Sequence, residues 1–236
     1  MANVLFPTSQ SQKIENLWNT DHALADEGAY FVATNPTPNT VIAGTTSVVD
    51  AANAGATSAQ TRPVLIVYNS WAAGATSKSI YPRFLWMMVS QVPTSASFWD
   101  VAFWLEPVGA SAYVSGGSLI TAVTTNPLPG IISAAVIHFG ALTAAATTTG
   151  GTLVSRRRID NTVPVTLDEW IFLFGDVSVS SDVLSGGTVV KRTSYRLPPI
   201  VIPPGYALKM GMWGTSNAAA PSWEFEFDYA ERVSGQ

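Results

Sequence analysis

Trp223-Glu224-Phe225-Glu226-Phe227-Asp228-Tyr229 alternates aromatic and acidic side chains without a break. Successive side chains of an extended strand point to opposite faces, so the four aromatics share one face and the three acids the other. The stretch reads as a strand buried on one side only. Outward from it, short runs rich in β-branched and aromatic residues recur between Gly, Pro, Asn and Ser. They predict strands at Ala29–Thr34, Pro63–Tyr68, Arg83–Ser90, Phe98–Leu105, Ser118–Thr124, Ile131–Phe139, Thr152–Ile159, Glu169–Phe174, Ile200–Ile202, Ala207–Trp213 and Trp223–Tyr229. So many strands, joined by turns rather than helices, predict an all-β chain folded as a single antiparallel β-sandwich. The one helical pattern runs from Ser11 to Ala25, where Ile14, Leu17 and Trp18 share a face. The chain therefore divides into an N-terminal arm or short helix over residues 1–26 and a sandwich over residues 27–236. Ala43–Thr61 and Ala141–Thr152, dense in Ala, Thr, Gly and Ser, read as long surface loops or as ordered contacts on a neighbouring subunit.

Several strands break the alternation. Phe84-Leu85-Trp86-Met87-Met88-Val89 and Trp170-Ile171-Phe172-Leu173-Phe174 are apolar on both faces. Trp99, Val101, Phe103 and Leu105 line one face of the next strand, with Phe98, Ala102 and Trp104 beside Asp100 on the other. A two-sheet sandwich offers one inner face per sheet. Since burying one such side chain contributes about 1.5–3 kcal/mol, the outer faces need cover. The long loops, the N-terminal segment or another subunit can supply it, and Trp86, Trp104 and Phe172 are the residues on which the choice turns.

Charged residues make up 12% of the 236-residue chain, half the usual ~25%. A charge-poor surface suits a chain that spends its life against others. A net charge of −4 with 12 Lys+Arg gives no footprint for nucleic acid. Eight Trp, seven Tyr and ten Phe argue against disorder. Without cysteine there is no disulfide framework and no thiolate metal site. Gly130–Ala146, the greasiest stretch, is too short and too rich in small residues for a membrane span. Met1–Trp18 has no signal-peptide pattern, so the expected setting is the cytoplasm.

Little in the chain points to catalysis. The two histidines, His22 and His138, are far apart, and His138 sits in an apolar strand as a core histidine would. No metalloprotease, nucleophile-elbow, P-loop or dinucleotide motif is present. Glu224, Glu226 and Asp228 share a strand face, with Asp168 and Glu169 elsewhere and Lys209 placed to neutralise them from the preceding strand. A solvated face or a polar subunit seam is the favoured reading, ahead of a hard-cation site or a catalytic carboxylate pair. Arg156-Arg157-Arg158 is the one basic cluster, suited to an exposed strand or to docking on an acidic partner. No catalytic residue, cofactor or metal ligand is assigned.

Leu197-Pro198-Pro199-Ile200-Val201-Ile202-Pro203-Pro204-Gly205-Tyr206-Ala207-Leu208 predicts a type II turn at Pro204-Gly205, with prolines that suit an edge position before it. This pattern, the aromatic-acidic closing strand and the cysteine-free, charge-poor composition resemble small virion proteins of tailed bacteriophages. Those are head decoration, cement or minor structural proteins with jelly-roll-like β-sandwiches. The resemblance implies a non-enzymatic homo-oligomer, a trimer in particular, assembled in the host cytoplasm. It would bind between capsomers on the major capsid protein or another virion protein, with no role for nucleic acid or membrane. The candidate interface residues are Ile14, Leu17, Trp18, Trp86, Trp104, Arg156, Arg157 and Arg158. The alternatives are a tail or head-fibre component touching the host, a carbohydrate-binding module using Trp71, Trp99, Trp104 and Trp213, and a sandwich glycosidase using Glu224 and Glu226.

Overall fold

The computed structural model describes residues 20–35, 42–43, 63–74, 76–91, 99–107, 113–126, 130–144, 152–160, 165–175, 181–184, 190–214 and 222–233. Within them the chain runs through α1 (Thr20–Asp26), β1 (Tyr30–Thr34), β2 (Ile42–Ala43), β3 (Leu65–Asn69), β4 (Lys78–Gln91), β5 (Trp99–Pro107), β6 (Tyr113–Ile120) and β7 (Val123–Thr124). It continues through β8 (Ala135–Ala144), β9 (Thr152–Asp160), β10 (Glu169–Phe174), β11 (Ser181–Leu184), β12 (Val190–Leu197), β13 (Tyr206–Gly214) and β14 (Ser222–Val233). The strands form two sheets, so the chain is all-β. The eight-stranded sheet has the order β11-β12-β10-β4-β14-β1-β7, with β2 also on β14. The six-stranded sheet has the order β6-β8-β3-β13-β5-β9. Neighbours are antiparallel except β10 and β12, which are parallel. Consecutive strands often lie in different sheets: the path crosses between them on going from β3 to β4, from β4 to β5, from β9 to β10 and from β13 to β14.

The aromatic-acidic stretch behaves as its pattern requires. Trp223, Phe225, Phe227 and Tyr229 of β14 are buried between the sheets, while Glu224, Glu226 and Asp228 turn outward. Across the gap Phe225 stacks on Phe139 of β8 with ring centroids 4.1 Å apart, and Phe103 of β5 meets Phe172 and Phe174 of β10 edge to face. Leu85, Met87, Val89, Trp170 and Phe172 complete the inner layer, so the two-faced apolar strands β4 and β10 do give one face to the core.

Strand β4 holds a proline in mid-strand, which would remove a ladder bond. Its register against β14 slips there: Asp228 lies opposite Phe84 but Tyr229 opposite Pro82, leaving Arg83 as the extra residue of a bulge. The bulge accommodates Pro82 and turns Arg83 outward. The predicted strand Ile200–Ile202 is reduced to a single bridge, Ile202 to Ile80, because the segment is passing from one sheet to the other. The turn after it forms as expected, with Tyr206 N–H on the Pro203 carbonyl at 3.1 Å and Gly205 at φ 75°. Strands β11 and β12 were not predicted, and β8 runs on through Ala141–Ala144, part of a stretch read as loop. The rest of that stretch, 145–151, and most of Ala43–Thr61 lie outside the described residues.

Helix α1 overlaps the end of the predicted helix, whose earlier residues, with Ile14, Leu17 and Trp18, lie outside the described residues. It stops in a Schellman arrangement: Ala29 N–H reaches the Leu24 carbonyl, Gly28 N–H reaches that of Ala25, and Gly28 has φ 67°. This cap turns the chain into β1 and sets Leu24 against Ala29 and Ala230.

Buried polar groups tie the crossings together. Asn69 donates to the carbonyls of Lys78 and Ile202 and accepts from Trp71 N–H. Glu231, buried at one end of the sandwich, accepts from Ser133 Oγ, Ala134 N–H and the Trp71 indole. Asp168 accepts from the N–H groups of Val165 and Lys191. Phe225→Ala, which opens the centre of the aromatic seam, is expected to lower stability by about 3–5 kcal/mol. Glu224→Ala on the opposite face should move it by about 0.5 kcal/mol or less. Denaturant midpoints of the two variants check the contrast.

Candidate functional site

The two outer faces of the sandwich differ. On the six-stranded sheet, Ile66, Leu142, Ala144 and Ala207 form a second apolar cluster flanked by Tyr68 and Tyr113. Trp104 of β5 is 1% exposed within the single chain, and Lys209 and Glu106 beside it are fully buried. Lys209 Nζ lies 2.6 Å from Glu106 Oε2, at ion-pair distance though off the line of a hydrogen bond. His138 lies on this face under the Tyr113 ring, with centroids 3.6 Å apart, and burial pushes its pKa down, so it is neutral at neutral pH. His22 is exposed on α1.

Two sequence expectations change here. Lys209 does not face the β14 acids; it stands on β13 in the opposite sheet, because the two consecutive strands are not sheet neighbours. Trp104 is enclosed by its own chain, so no second chain is needed to cover it. Phe172 is likewise fully buried, in the core.

The outer face of the eight-stranded sheet is built in rows. Met88, Trp86 and Phe84 of β4 lie opposite Glu224, Glu226 and Asp228 of β14 on one side. On the other side they lie opposite Glu169, Ile171 and Leu173 of β10. Beyond β10, in register, come Arg192, Ser194 and Arg196 of β12. The five apolar side chains of β4 and β10 are half-buried, whereas the alternate residues beneath them are fully enclosed. The result is an apolar centre with an acidic border on β14 and arginines on β12. Beside Trp86, the Glu169 carboxylate pairs with Arg192. The Arg192 hydrogen bond, the largest influence, keeps Glu169 below the usual carboxylate range against the effect of burial.

At one end of this face lies an open cavity of about 600 Å³ lined by Asp21 of α1 with Tyr30, Arg83, Phe84, Glu226 and Asp228, among others. The guanidinium of Arg83 pairs with Asp21 at 2.7 Å, pinning α1 to the bulge. The Tyr30 hydroxyl donates to Asp228 Oδ2 at 3.1 Å. Burial, and then the neighbouring charge of Glu226, raise the Asp228 pKa to about 6 despite that hydrogen bond. The pair therefore changes charge in mildly acidic solution. Among the described residues no group of three or more His, Cys, Asp or Glu is arranged to hold a metal ion. No described helix is long and apolar enough to cross a membrane.

The other sequence candidates are scattered. Trp86 stands in the apolar rows. Arg156, Arg157 and Arg158 run along β9 at the far edge of the six-stranded sheet, with Arg156 and Arg157 exposed. Of the tryptophans considered for sugar stacking, Trp104 is enclosed and Trp71 is half-buried with its indole on Glu231 and Lys78 Nζ over its ring at 5.6 Å. Sequence reasoning missed Tyr30 as the partner of Asp228 and the Arg83–Asp21 pair that lines the same cavity, since only the tertiary fold brings them together. The chain matches no protein-family model, no curated protein and no solved structure.

Two outcomes follow from this geometry. Lys209→Met alone strands a buried carboxylate and should cost about 3–5 kcal/mol, while Lys209→Met with Glu106→Leu should recover most of it. Urea titration of both variants is the check. Asp228 binds its proton more tightly folded than unfolded, so its contribution is fully present below pH 3.8 and is lost as the pH rises through about 6. Asp228→Asn should therefore gain stability over the parent progressively across that window and hold the gain at neutral pH, as melting temperatures measured at several pH values will read.

Proposed function

We propose that this chain is a non-enzymatic virion structural protein with a jelly-roll sandwich, which decorates a capsid by seating the outer face of its eight-stranded sheet on another virion protein. The strand order carries the reading. Stripped of the edge strands β7, β11 and β12, and of β2 and the pair β6-β8, the sheets become β1-β14-β4-β10 and β3-β13-β5-β9. Taken along the chain, these eight strands change sheet at every step except from β5 to β9, which pair with each other. That is the winding expected of a jelly roll, an architecture used by viral capsid and lectin domains.

The outer face supports the docking half of the reading. It has the anatomy of a protein interface, an apolar centre bordered by charge, with the half-buried Trp86 as an aromatic anchor in the middle row. Its acidic border would meet basic groups, and its arginines acidic ones, so the charges fix orientation while the apolar rows supply affinity. Many identical contacts on a symmetric particle would multiply a modest affinity at each. A tail or head-fibre location is the second reading, because it shares the fold and differs only in position.

Antibody against the isolated protein, applied to intact particles from cells that make it, should label heads at many symmetric positions. Leu173→Asp, which puts a charge in the apolar rows, should fold but lose incorporation about a hundred-fold. Label confined to tails would move the assignment to the fibre reading, and no label on any particle would overturn it.

A further inference from the structure

The seven most exposed large apolar side chains among the described residues are Val114, Leu119, Val123, Ile132, Leu153, Leu167 and Val201. The first four of them gather at one edge of the sandwich. Val114 and Leu119 belong to β6, Val123 to β7, and Ile132 to the segment entering β8. Strands β6 and β7 are the last strands of their two sheets at this edge. Between them opens a groove of about 450 Å³, lined by Phe31, Leu119, Ile120, Ala122, Ile131 and Ala135 among others. Among the described residues no charged side chain lines it.

The remaining edges are guarded. Strand β9 carries the exposed Arg156 and Arg157, and β11 is only four residues long. Charges and short length are what keep a sheet edge from pairing with another chain. Strand β6 has no charge over its eight residues. It is bent instead: Gly116 and Gly117 sit at φ 84° and 61° inside a register shift, and a Cβ on Gly116 would lie 2.3 Å from the Ala141 carbonyl oxygen. A bulged edge does not extend a ladder smoothly, so a visitor here binds through side chains rather than through strand addition.

We propose that this groove is a contact between copies of the chain, in which Ile132 of one copy seats in the groove of the next. Ile132 is 79% exposed and forms part of the rim of its own groove, so it is a projecting knob beside a hole that it does not fill. A second copy brings the same knob and the same hole. Because the rim bears no charge, like surfaces meet without repulsion, whereas copies joined through β9 would oppose arginine to arginine. The inference rests on the reading that the chain assembles with its own kind, but it concerns a different surface from the one proposed to face the particle.

The test uses the full isolated chain, so its failure and that of the particle assignment are separable. Sedimentation at micromolar concentration should show a self-associated species. Ile132→Asp and Leu119→Asp should each weaken association about a hundred-fold, with circular dichroism and melting temperature unchanged. Should Leu119→Asp fail to fold, Ile132→Asp, at a fully projecting position, still decides. Since the parent has no cysteine, Ile132→Cys gives one thiol, and mild oxidation should link two copies through it far faster than through Leu167→Cys. A parent that stays monomeric, or association that ignores both aspartates and the thiol position, would overturn the proposal.

Discussion

The aromatic seam between the sheets sets what the rest of the chain is able to do. Phe225 against Phe139 at 4.1 Å, and Phe103 against Phe172 at 5.5 Å and Phe174 at 5.7 Å, leave little freedom in how the layers sit. Because a strand's side chains alternate, a slip of one residue in β14 would carry its aromatics to solvent and its acids into the core. That penalty is several side-chain burials at once, each worth about 1.5–3 kcal/mol. The seam therefore fixes the register of β14 against both β4 and β1, and with it which residues of those strands face outward. The acidic border and the apolar rows beside it are consequences of a constraint imposed from the inside.

How far this was legible in the sequence depends on whether the information was local. The alternation from Trp223 to Tyr229 needs no tertiary knowledge, and the two-faced apolar runs of β4 and β10 announced that both sides of the sheet would be greasy. Strand β12, Val190-Lys191-Arg192-Thr193-Ser194-Tyr195-Arg196-Leu197, was hidden because it has no apolar run of its own. It is held as a strand by parallel pairing with β10 and by β11 on its other side. The bulge at Pro82 and Arg83 was equally invisible, since it exists only as a mismatch between β4 and β14.

Lys209 shows the same limit from the other direction. It follows in sequence just before the β14 acids, and adjacency along the chain suggested adjacency in space. The chain instead changes sheet between β13 and β14, placing the ammonium on the far outer face with Glu106. The sequence-level excess of grease was real, but its cover is divided. On the six-stranded sheet, Trp104, Ile66 and the ion pair are enclosed within the monomer. On the eight-stranded sheet, Phe84, Trp86, Met88, Ile171 and Leu173 keep part of their surface.

That division bears on how a chain with so few charges can be directed. If both outer faces were equally apolar, association would have no preferred side and aggregation would compete with assembly. Here one face hides its apolar residues, one presents them between rows of opposite charge, and one edge presents them with no charge at all. In the proposed assembly the bordered face would select a partner by charge pattern, whereas the neutral edge would suit a partner identical to itself, for which any charge on the rim would meet its own likeness. Guarding β9 with arginines while leaving β6 neutral is then the same device used in two senses. On the proposed reading, charge is kept where contact must be prevented or oriented, and it is withheld where two identical surfaces would meet.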